Sequence, residues 1–128
     1  MKNLSFAGRI IFAIPFGFFG INHFVMYDFY IGQLTSFIPA GGFTIILTGL
    51  CLIAACISII TKKLIRLSTI LLAVLLLIFI LTIHIPHLIH HIDTEITIVT
   101  MFKDISLLGG SLFMAGMADE EKNPDLNN

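Results

Sequence analysis

Four stretches of the chain are almost wholly apolar: about 6–27, 43–60, 64–85 and 96–117. Each is long enough to cross a hydrocarbon core of about 30 Å as a helix. None alternates apolar and polar positions, as the strands of a membrane barrel would. The pattern predicts an all-α fold, a four-transmembrane-helix bundle forming one domain over 1–117. Spans two and three are joined only by TKKL, which demands a tight antiparallel hairpin. The tail, 118–128, is short and acidic, contains Pro124 and has nothing to bury, so it is expected to be disordered.

Composition points the same way. Of the 128 residues, 57% are hydrophobic and 12% charged, and the mean hydropathy is +1.01. A soluble domain of this size has too much surface to hide so much apolar area. The lipid bilayer is its natural solvent, and no nucleic acid is expected among its partners. The first 20 residues resemble a signal peptide, but no small-residue cleavage site follows, so a retained first span is expected.

The placement of basic residues predicts the orientation. Lys2 and Arg9 flank the start of span one, and Lys62, Lys63 and Arg66 flank the turn between spans two and three. The loops 28–42 and 86–95 contain neither Lys nor Arg. The positive-inside rule therefore predicts both termini and the 62–66 turn in the cytoplasm of a cell membrane. The loop DFYIGQLTSFIPAGG has the composition of an interfacial segment, with Tyr27, Tyr30 and Phe37 as anchors.

Ionisable groups inside such spans each cost on the order of 3 kcal/mol, so they are functional candidates by default. Lys103 and Asp104 lie well inside span four. Adjacent residues point about 100° apart on a helix, so each is expected to need its own partner. Asn22 and His23 at the outer end of span one and His84 near the outer end of span three lie at a similar depth. Antiparallel packing brings Asn22, His23, His84, Lys103 and Asp104 into one polar layer in the outer half. That layer is either a latch that pins the helices or an outward-facing pocket that binds a ligand or moves a proton. Arg9 is expected to snorkel to the headgroups and is a secondary site candidate.

The stretch HIPHLIHH holds four of the five histidines. On an ideal helix His84, His87 and His91 would share a face and suit a metal ion. Pro86 is expected to end or kink the helix there, leaving His90, His91, Asp93 and Glu95 in a loop, so no metal site is expected. Cys51 and Cys56 fall on different faces, roughly 140° apart, and are expected to be unpaired, buried apolar residues. Pro15, Gly17 and Gly20 predict a bend in span one. Ser106, Gly109, Gly110 and Gly116 would let a neighbouring helix approach span four closely.

The chain resembles the DoxX-like family of small four-span membrane proteins over nearly its whole length. The resemblance rests on Arg9, FGINHF, FIPAG, LTGLCLIAACISIITKK, IHIP and FKDISLLGGSLF, in that order. It implies a four-helix bundle in the cell membrane, in a family whose role is poorly defined. Some relatives are associated with membrane thiol or quinone redox systems, and distant ones help other membrane proteins assemble. Many members carry a Glu after the Gly of span two, where this chain reads TGLCLI; its loss weakens a proton-coupled redox role. The resemblance thus implies an accessory component of a membrane redox system, quinone or thiol-linked, with quinone as the implied cofactor. The alternative is a non-enzymatic helper or binding protein for a hydrophobic ligand or a partner membrane protein, acting alone or as a homodimer. A small oligomeric transporter is a third option. Catalysis is not implied by any of these residues.

Overall fold

The computed structural model describes residues 2–34 and 41–122, and every regular element among them is a helix. These are α1 (Lys2–Val25), α2 (Tyr27–Gln33), α3 (Gly42–Thr61), α4 (Ile65–Phe79), a π-helical turn (Ile80–His84), α5 (Ile85–Ile89) and α6 (Thr94–Lys122). Four segments are long and apolar enough to cross a membrane: Asn3–Val25, Gly42–Thr61, Ile65–Ile89 and Thr94–Asp119. Their outer faces carry Ile11, Phe18, Leu71, Val99 and Phe113, all exposed. An apolar exterior over a small buried core suits contact with lipid, as four helices of this length and composition do. The interfacial anchor Phe37 and the turn at Pro39 lie outside the described residues, as does the tail beyond Lys122.

The long helices pack as two antiparallel pairs, α1 with α3 and α4 with α6. In the first pair the helices approach until backbone meets backbone. A Cβ on Gly20 would stand 2.9 Å from the Gly49 carbonyl oxygen and 3.0 Å from the Ile53 nitrogen. The second pair is fastened at both ends. His84 meets Asp104 at one end, and at the other Arg66 Nε lies 2.9 Å from Asp119 Oδ1. The hairpin between the pairs turns through Lys62 and Leu64, both left-handed at φ 60° and 55°. Ser68 donates to Ser58 (2.6 Å), and Ser58 in turn donates to the Lys63 carbonyl, closing that turn.

The core joins the pairs at this same end, where Ala13, Phe16, Leu52, Ala55, Ile59 and Leu72 pack together. Away from the hairpin α3 and α4 diverge. Helices α1 and α6 touch through side chains, Phe12 against Gly110 beside the core and Phe19 beneath Lys103 farther from the hairpin, rather than along their backbones. The bundle is thus closed at the hairpin end and parted at the other, which we call the loop end. The Arg66–Asp119 pair is half-exposed, so Asp119→Ala is expected to cost less than about 1 kcal/mol in reversible unfolding of the solubilised protein.

Several sequence expectations need correction. Pro86 does not end the third span. The π-helical turn ahead of it lets the Ile85 N–H reach back to the Ile80 carbonyl, and the chain stays helical to Ile89 with Pro86 in the first turn of α5. Widening the ladder there accommodates the missing donor and the proline ring. Glu95 belongs to the first turn of α6 rather than to a loop. The helix also runs five residues past 117, to Lys122. Cys51 is exposed rather than buried, while Cys56 is half-buried; both are free. Of the three glycines of span four, Gly110 takes a neighbour within the bundle, the Phe12 ring, whereas Gly109 and Gly116 face open space. The close helix approach lies instead between α1 and α3.

Candidate functional site

Where the helix pairs part, they enclose a cavity of about 400 Å³. All four long segments and α2 contribute to its walls. Along α6 the lining runs from Ile96 to Leu107, about 16 Å of helix. The floor, nearest the hairpin, is apolar and aromatic, formed by Phe16, Leu52, Leu76 and Phe79. Polar groups gather toward the loop end in two clusters.

The first cluster lies between the second pair of helices. His84 Nε2 is 2.8 Å from Asp104 Oδ2, and Lys103 Nζ is 3.2 Å from Asp104 Oδ1. Asp104 is buried, at 6% exposure. The carboxylate therefore spends one oxygen on the imidazole and one on the ammonium, and both bonds are charge-assisted. Lys103 also stands 4.4 Å from the centre of the Phe19 ring, a cation–π contact that joins α6 to α1. The adjacent pair does interact, contrary to the expectation from helix geometry. Backbone positions 100° apart fix where two side chains start, and the long Lys103 stem bends back to its neighbour.

The second cluster hangs from α1. His23 is buried, and its Nδ1 donates to the Phe19 carbonyl at 2.7 Å. Its ring stacks on Tyr30 of α2, with centroids 4.0 Å apart and planes 17° apart. The short helix α2 folds back over the end of α1 to make this stack. Tyr30 lies outside the candidate spans, and burial lifts its phenol above the ordinary value of 10.0. Unfolding would release that proton once the pH passes the ordinary value, so stability falls with rising pH from there to the folded value. In a Tyr27→Phe protein Tyr30 is the one remaining tyrosine. Its ultraviolet titration is expected to give a midpoint above 10.0.

The cavity wall thus receives His23, His84, Lys103 and Asp104, together with His87. Asn22 is half-buried and does not line it. Arg9 lies at the opposite end of α1. It sits 5.6 Å from the Phe6 ring, and its Nε is buried without a hydrogen-bond partner. His91 is exposed in the turn before α6, with a left-handed φ of 55°. His84, His87 and His91 therefore do not converge, and no group of three His, Cys, Asp or Glu among the described residues is placed to hold a metal ion.

Some lining residues lie outside the sequence-predicted layer. Thr44, Thr48, Thr97 and Thr100 also face the cavity, and Thr97 is anchored by donating to the Ile92 carbonyl at 3.1 Å. Their signal was present as hydroxyls three or four apart within apolar spans, the spacing of one helix face. Tyr30 and Phe29 carried none, since their place depends on how α2 folds back.

No family model, curated protein or solved structure matches the chain.

Proposed function

We propose that the chain is a DoxX-like protein of the cell membrane, with both termini in the cytoplasm, that holds a quinone-like amphiphile as an accessory component of a membrane redox system. The observation that carries this proposal is the cavity between the helix pairs. Its volume falls within the range of small-molecule sites, and such sites combine mostly apolar walls with a few convergent polar groups. The aromatic walls suit a flat ring. The polar groups near the loop end suit the ring's oxygens, and the loosely joined α1 and α6 suit passage of an apolar tail from the lipid. A pure latch would need no such space. The site lies at the loop end, and the distribution of Lys and Arg supports an outer-side location for it.

A thiol-linked role has less support, because neither Cys51 nor Cys56 lines the cavity. The same fact favours the second reading, a non-enzymatic binding or helper protein whose cavity takes a lipid-like ligand or part of a partner's helix. Photolabelling with an azido-quinone in proteoliposomes separates these. Labelling of peptides around His23–Tyr30, Thr44–Leu52 and Asp104, competed by unlabelled quinone, is the expected result. Uncompeted labelling confined to outward-facing residues such as Ile11 and Phe113 would overturn the redox reading.

A further inference from the structure

Of the three imidazoles that line the cavity, those of His23 and His84 are each held with one nitrogen committed and one free. A carbonyl oxygen only accepts, so the His23 bond to Phe19 requires the proton on Nδ1. His23 Nε2 then carries a lone pair and has no other partner among the described residues. The Asp104 carboxylate likewise only accepts, which requires the proton of His84 on Nε2 and leaves the lone pair on Nδ1. Lys103 occupies the other carboxylate oxygen, so the imidazole of His84 meets Asp104 through its one N–H. Neither free nitrogen is sealed away, since the one buried and unpartnered side-chain nitrogen or oxygen among the described residues is Arg9 Nε. Both histidines line the same cavity.

From this geometry we infer that the cavity is built for a ligand that donates hydrogen bonds, and that it prefers a hydroquinone, with two hydroxyls, over the corresponding quinone. The inference rests on the quinone-like ligand proposed above and specifies its form. A quinone presents only acceptor oxygens and would set lone pair against lone pair at His23 Nε2 and His84 Nδ1. A hydroquinone gives each nitrogen a donor and keeps the same flat ring against the aromatic walls. The Phe19 carbonyl and the Asp104 carboxylate act as positioning groups, since they choose the tautomers of the two imidazoles.

The test is equilibrium binding to wild-type protein in lipid nanodiscs at pH 8, without oxygen and with excess dithionite for the reduced probe. Three probes of one shape are compared: decyl-benzoquinone, its hydroquinone, and the dimethyl ether of that hydroquinone, which keeps the ring and loses both donors. The hydroquinone is expected to bind at least about tenfold more tightly than the other two, as two net hydrogen bonds would provide. His84→Phe, which keeps an aromatic ring and removes the acceptor, is expected to lose most of that margin while still binding the quinone. Equal or tighter binding of the quinone or the ether overturns the inference and leaves the quinone-like site standing. Binding of none of the three by protein with intact helical circular dichroism overturns both.

Discussion

Asp104→Ala is expected to lower the stability of the solubilised protein by about 3 kcal/mol, the cost of breaking a buried charged pair from one side. The carboxylate is buried, and both of its oxygens are used. Its loss leaves the Lys103 ammonium and the His84 Nε2–H without their acceptor in apolar surroundings. Most of the cost therefore belongs to the orphaned partners, and it should be recoverable. In Asp104→Leu combined with Lys103→Met the charge and its counter-charge leave together, and more than half of the loss is expected to return. The coupling between the two sites is what a double-mutant cycle reads. Reversible unfolding in mixed micelles checks both variants. An Asp104→Ala protein within about 0.5 kcal/mol of wild type would mean that the second helix pair is held by apolar packing alone.

Gly20→Val is expected to cost about 2 kcal/mol, near the middle of the range for overpacking a close contact. The cause is local and backbone-bound. The first carbon of any side chain at Gly20 meets the Gly49 carbonyl and the Ile53 nitrogen, neither of which can rotate away. Gly49 is equally confined, since a Cβ there would stand 3.0 Å from both the Gly20 carbonyl oxygen and the His23 Cβ. Separating α1 from α3 would therefore move His23, one turn from Gly20, and shift a cavity wall as well as weaken the pair. Gly109→Val, at a glycine with open space around it, is expected to stay within about 0.5 kcal/mol of wild type under the same conditions.

Much of this organisation was legible in one dimension. Apolar length predicts a membrane helix because hydrocarbon demands it of every residue in turn, and all four spans follow from that. The ionisable residues stood out for the same reason. His23, His84, Lys103 and Asp104 conflict with their surroundings unless something compensates, and antiparallel packing puts them at one depth. Asn22 shares that depth but turns about 100° away from His23 along the helix. Depth alone does not choose a face, which is why Asn22 fell outside the cavity. The helix end offered as one outcome at Pro86 is absent for a different reason. A proline breaks the regular ladder, but a π-helical turn just before it supplies a wider register that the sequence does not announce. The tight glycine contact between α1 and α3 was not anticipated, since small residues mark an approach without naming the neighbour. Tyr30 illustrates the remaining limit, because its stacking on His23 depends on a tertiary fold-back of seven residues.

The central claim is that the space between the helix pairs is a binding site. Native mass spectrometry of the gently solubilised protein tests it most directly, with wild type beside Thr100→Phe. Thr100 lines the cavity, and its hydroxyl bonds only to carbonyls of its own helix, at 2.9 and 3.1 Å. A larger ring there fills the space while leaving the His84–Asp104–Lys103 cluster in place. The account predicts a small molecule of one defined mass bound to wild type and absent from Thr100→Phe. An unliganded wild type that takes up no added amphiphile, or a Thr100→Phe protein that keeps the same adduct, would contradict it.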